Sequence, residues 1–340
     1  MSIPVPAPDQ PIRRGQSLRV WVVTSSIVLL LATGGLIWWF GSWSDPGFIE
    51  YPMLHPTDIP TTVAVAPNGA IWFTIDFSDA IGLLRNGKIE RLPKGTQNLE
   101  PMGLAVASDG SAWYTDSPAR LISRISQSGE ITSFPLSTPI ARLGRIAVAP
   151  DGSVWFAEST SYSITRLKEG EFTRYVIESV RGGPFGVTVD AQGTAWATLQ
   201  SGNALVRISP SGEMTEIEVP TRASSPSDIA VDATGAVWFL EFRTDKIGRY
   251  ADGRFAEFPV PSNEKAGLAG LTVAPDGSVW FGMLRTHSLG RLHNGVFKKF
   301  RLPRPDARPY SVAADAAGNI WYTDISGWLG MLPADQAKVN

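Results

Sequence analysis

The chain has 340 residues, 43% of them hydrophobic and 18% charged, enough for a sizeable core and too apolar for a disordered chain. It contains no cysteine, which excludes disulfides, thiolate metal sites and thiol nucleophiles. The net charge of −2 carries no basic surplus, so nucleic acid is not an expected partner.

Residues 1–19 hold Arg13, Arg14 and Arg19, and Val20 to Phe40 then runs for 21 residues without a charge. That length spans about 30 Å of hydrocarbon as a helix, and Trp38, Trp39 and Trp43 stand where an interfacial aromatic belt lies. The positive-inside rule makes residues 1–19 a cytoplasmic tail, 20–40 a transmembrane anchor, 41–46 a linker and the rest extracytoplasmic, periplasmic or at the cell surface. A cleaved signal peptide is the alternative. A retained anchor is preferred because the apolar run exceeds the roughly 7–15 residues of a signal h-region.

From residue 47 the chain repeats. Trp72, Trp113, Trp155, Trp196, Trp238, Trp280 and Trp321 recur every 41 or 42 residues, each closing a phrase such as RIAVAPDGSVW or DIAVDATGAVW. The alternating run predicts a strand, the glycine three residues before each Trp a two-residue turn with positive φ, and the Trp a second strand. A third strand (KIGRY at 246–250), a second glycine turn and a fourth strand (EFPV, SFPL) follow. Four short antiparallel strands per repeat predict an all-β, seven-bladed β-propeller over 47–333, with 334–340 a C-terminal tail. The seventh repeat lacks its fourth strand. Phe48-Ile49-Glu50-Tyr51-Pro52 reads like Phe255-Ala256-Glu257-Phe258-Pro259, so residues 47–54 are expected to close the ring. The repeated Trp is read as packing between blades.

In such a ring the loops leading into the inner strands share one face with the loops between second and third strands. Three residues after the Trp, four blades place a carboxylate there: Asp116, Glu158, Glu241 and Asp324. In the second blade Glu100 of the lead-in loop joins Asp116, and two carboxylates could hold Mg²⁺ or Ca²⁺. Alternatively, these acids bond backbone amides of neighbouring turns. Arg142, Arg145, Arg181, Arg222 and Arg308 are placed in lead-in loops and His287 in a second-to-third strand loop, offering pairing to a carboxylate or phosphate. The expected ligand set is Glu158, Glu241, Asp324, Arg142, Arg145, Arg308 and His287, for a small-molecule or protein ligand at the channel face of a monomer. No Ser-His-Asp order, zinc spacing or glycine-rich phosphate loop is present.

The phrases AVAPDGSVWFAE, KIGRY, EFPVP and SFPL resemble the streptogramin B lyase (virginiamycin B lyase) family over about residues 47–333. The resemblance implies a seven-bladed propeller. It further implies Mg²⁺-dependent elimination that opens a cyclic depsipeptide ester, with a histidine in a Glu-Pro-His-Gly loop and acidic metal ligands. Here that loop reads Glu100-Pro101-Met102-Gly103, so Glu100 and Asp116 match the acids and Met102 replaces the histidine. The sequence reading is therefore a membrane-anchored binding module, with a divergent Mg²⁺-dependent lyase as the alternative.

Overall fold

A computed structural model describes residues 12–13, 47–95, 103–138, 142–179, 182–262 and 264–338. The apolar run 20–40, the linker 41–46, Glu100, Met102 and Arg181 lie outside these residues. No helix among the described residues is long and apolar enough to cross a membrane.

The repeat folds as seven sheets, each built on four antiparallel strands. The fifth blade shows the pattern, with strands Pro226–Val231, Val237–Glu241, Lys246–Ala251 and Arg254–Pro259 running from channel to rim. The turn before each Trp is longer than two residues. In the first blade Ala66 to Gly69 form a turn closed by Gly69 N–H to Ala66 C=O, and Ala66 N–H bonds Ala70 C=O. Gly69 stands at φ +83°, as expected, but as the extra residue of a bulged turn.

The seventh blade is completed from the other end of the chain. Ile49–Pro52 pairs antiparallel with Trp328–Leu332, Tyr51 facing Leu329. Tyr51 stacks on Trp321 as Phe258 stacks on Trp238, and Phe48 meets Tyr322 edge-on as Phe255 meets Phe239. The sequence likeness of the two segments thus reflects identical packing roles. The backbone of Ile12–Arg13 adds a two-residue pairing to the edge of this sheet.

The Trp side chains fill the seams between blades: Trp72 packs with Leu104 and Tyr114 of the next blade, and Trp280 with Ile320 and Tyr322. Burying a large apolar side chain in this way contributes about 3 kcal/mol. Polar clasps reinforce three seams. The hydroxyls of Thr115, Thr198 and Thr323 accept the N–H of Gly103, Gly186 and Ser311 in their own blades. Each also donates to the next blade's inner strand, at the carbonyls of Gly144, Ser227 and Thr61. The last of these clasps seals the seam between the seventh and first blades.

Strand direction fixes where the chain ends leave. In each blade the outer strand runs from the glycine turn toward the next lead-in loop, and Ile49–Pro52 runs the same way, Ile49 opposite Met331 and Pro52 opposite Trp328. Residue 47 therefore emerges on the turn face. The C-terminal helix Ala334–Ala337 also sits there, Ala334 N–H bonding the Asn319 side chain of a turn. The lead-in loops occupy the opposite face.

Candidate functional site

Each of the four carboxylates ends a second strand, pointing into the loop that follows, and each is at most 1% exposed. Burial of a charge demands partners, and local loop donors supply them. Asp324 accepts Arg308 N–H at 2.9 Å, Ser326 N–H at 2.9 Å and Ser326 O–H at 2.7 Å. Arg304 also pairs with Asp324, and with Glu50 of the closing strand at 3.2 Å. Burial opposes the charge on Arg304, yet Asp324 and Glu50 more than offset it and hold its pKa above the ordinary value. Glu158 accepts hydroxyl bonds from Ser161 and Thr165, with Arg174 at 4.0 Å.

Glu241 is less well served. Thr244 donates to one oxygen at 2.8 Å, and the other has no partner among the described residues. Burial, with the neighbouring charge of Glu257, pushes its pKa up to about 7. Glu257 remains ionised because Lys246 sits 2.7 Å away and Thr221 donates to it.

Asp116 accepts Ala119 N–H at 3.2 Å, which turns the loop back on itself. Facing it electrostatically is Lys94, 3% exposed, at the start of the second blade's lead-in loop. Burial lowers the Lys94 pKa, and Asp116 leads the carboxylates that oppose this, ahead of Asp79 and Asp76. Glu100 lies outside the described residues, so the Glu100–Asp116 pair is neither assembled nor broken. The Lys94 ammonium thus contributes positive charge within electrostatic reach of Asp116. Among the described residues no three His, Asp or Glu side chains converge as a metal site.

The arginines separate. Arg142 and Arg308 lie exposed in lead-in loops, the Arg142 carbonyl accepting Ser159 N–H at 2.8 Å. Arg145, expected in a loop, belongs instead to the inner strand Leu143–Val148. Its side chain crosses the channel to Asp228 of the fifth blade at 2.8 Å and Thr62 of the first at 2.6 Å. Asp228 in turn accepts Gly270 N–H of the sixth blade at 3.1 Å. Burial opposes the Arg145 charge, but Asp228 outweighs it and raises its pKa. Arg145, Asp228 and Thr62 each stand ten residues before their Trp, an offset that sequence inspection could have used. His287 lies at the rim of the sixth blade, its Nδ1 2.6 Å from the Ala307 carbonyl. The expected ligand residues thus do not converge on one site, with Arg308 and Asp324 the one pair brought into contact.

Arg304 lies in a linker of irregular length and carries no repeat signal, whereas Lys94 follows the fourth strand where the other blades bury Leu136, Ile177, Val219, Val260 and Leu302, so its oddness could have been read from the repeat. They supply buried cations that sequence reading did not assign.

The signature of the virginiamycin B lyase family matches residues 43–168 and 96–336. A curated virginiamycin B lyase from Nocardia farcinica is 31% identical over 151 residues, 44% of this chain, so the match spans about half (52%) of that relative's length. The structure of a streptogramin B lyase superposes with a TM-score of 0.81 at 26% identity, covering 85% of this chain and 98% of the other. Virginiamycin B lyase from Staphylococcus aureus superposes at 0.79 with 28% identity, covering 84% and 98%. A catalytically inactive histidine-to-alanine form of that enzyme, determined with quinupristin, superposes at 0.79 with 27% identity, covering 84% and 98%. With signature matches that together run from residue 43 to residue 336 on a seven-bladed ring, the chain belongs to the virginiamycin B lyase family.

Proposed function

We propose that this chain is a ligand-binding member of its family, anchored outside the cytoplasm through residues 20–40, that recognises a small molecule or protein on the lead-in loop face without opening depsipeptide esters. Met102 carries this reading: in Glu100-Pro101-Met102-Gly103 a thioether stands where the family resemblance implies the catalytic histidine. Elimination needs a base for the proton α to the carbonyl, and a thioether cannot take it. His287 is no substitute by offset, and its Nδ1 is engaged by Ala307. Rigid rings that gather many loops on one face suit recognition.

The position of the chain ends supports the anchored arrangement. Residue 47 leaves the turn face, so a span at 20–40 would hold that face toward the bilayer and turn the loop face away. The pairing of Ile12–Arg13 with Ile49–Glu50 is given up in this arrangement. The cysteine-free chain offers a clean test by membrane-impermeant maleimide in intact cells. Ser262→Cys should label and Ser2→Cys should not; labelling of both contradicts the anchor.

Retention of Glu100 and Asp116 favours one second reading, a divergent Mg²⁺-dependent lyase acting on an ester or lactone. Calorimetry of the full chain with Mg²⁺ separates the two. The binding-module reading expects no heat that depends on these acids; heat abolished by Glu100→Ala and by Asp116→Ala overturns it.

A further inference from the structure

We infer that the rim of the sixth blade carries a separate anion site, suited to a soluble ligand bearing a phosphoryl group. Residues 261–301 hold six Lys and Arg against two acids, in a chain whose net charge is −2. One of the six, Arg291, is spent on Asp276 at the turn face, 3.1 Å away. Another, Lys298, lies over the Phe300 ring at 5.2 Å. Alternation along the outer strand Val296–Arg301 sends Lys299 and Arg301 to the other side.

There they border an open depression of about 770 Å³ shared with Arg285, Thr286, His287 and Glu264. Its size lies within the range of small-ligand sites. Arg285, Lys299 and Arg301 are exposed, and none forms an ion pair among the described residues. The floor is rigid: the backbone N–H groups of Leu284 and Arg285 bond the carbonyls of Gly267 and Ala266, both at 3.0 Å. Thr286, which also lines the depression, has its Oγ1 buried without a hydrogen-bond partner among the described residues. The Nδ1 bond to Ala307 fixes the His287 ring and leaves Nε2 available.

Two guanidinium groups and an ammonium around one hollow match a tetrahedral dianion better than a single carboxylate, which one arginine satisfies. A phosphoryl group can belong to a soluble ester or to a lipid headgroup. Because the chain ends leave the opposite face, this hollow points away from any bilayer reached through residue 47, which favours the soluble source. The inference does not depend on whether the channel mouth binds or cleaves.

Calorimetry of the full chain with inorganic pyrophosphate at about 50 mM salt tests it. Binding at about millimolar or tighter is expected. It should weaken about tenfold or more in Arg285→Gln/Arg301→Gln, with the thermal midpoint unchanged because both side chains are exposed. Absence of binding, binding unaffected by the double substitution, or succinate binding as tightly as pyrophosphate overturns the site. Stronger capture of phosphatidylglycerol vesicles than of pyrophosphate, lost in the same variant, overturns the soluble source.

Discussion

Glu241 shows how one side chain couples the loop face to pH. Its carboxyl is fully buried and its pKa rises from 4.5 to about 7, chiefly through burial. The unfolded chain ionises this group near 4.5, while the folded chain keeps the proton until about 7. Glu241 therefore costs no stability below 4.5, and its penalty grows as pH rises to 7, on the order of 3 kcal/mol across the window. Glu241→Gln should flatten the dependence of the urea midpoint on pH between about 5 and 8. An unchanged slope would show that the carboxyl ionises without penalty. The position of Glu241 was legible as an offset from Trp238. Its protonation was not, because that follows from the distance to Glu257 and from an oxygen left without a donor.

Within the blade, the residue after the Trp and its cross-strand partner are chosen together. Phe73, Phe239, Phe281 and Tyr322 lie opposite Gly82, Gly248, Gly290 and Gly330. A Cβ at Gly248 would stand 2.2 Å from the Phe239 ring. In the fourth blade the pair is reversed in size, Ala197 facing Val206. Gly248→Ala should therefore destabilise by about 1–3 kcal/mol, as overpacking does, and Gly248→Ala/Phe239→Leu should recover part of it in denaturant melts. A loss unaltered by the second substitution would place the fault in the backbone.

The closing strand depends on a buried ion cluster. Arg304 ties Glu50, 5% exposed, to Asp324, fully buried, and Tyr322 O–H donates to Glu50 at 2.9 Å. Arg304→Ala leaves two buried carboxylates uncompensated and should cost about 3–5 kcal/mol. Hydrogen exchange should show the loss first at Ile49–Pro52; protection retained there would mean that apolar packing alone holds the strand. Strand order and ring closure were legible because Phe48 to Pro52 repeats Phe255 to Pro259 in kind and spacing. The cluster was not, since Arg304 sits in a linker without counterpart in the other blades.

Across the whole molecule, Arg145 and Asp228 join the third and fifth blades through the channel, and Thr62 and Gly270 bring in the first and sixth. Both charged side chains are only 11% and 14% exposed. Arg145→Met should destabilise by about 3 kcal/mol or more by orphaning Asp228, and Arg145→Met/Asp228→Leu by much less. Additive losses would show that the two charges act independently. The sequence reading placed Arg145 in a loop and did not single out Asp228, whereas their contact links positions 83 residues apart in the chain. Of the channel mouth, the sequence offered the identity of Met102, a residue that lies outside the described ones.

The proposed function turns on that residue. The most direct measurement is mass spectrometry of quinupristin incubated with the full chain and Mg²⁺. The binding-module reading predicts an intact depsipeptide ring; ring opening that disappears in Glu100→Ala and Asp116→Ala would contradict it.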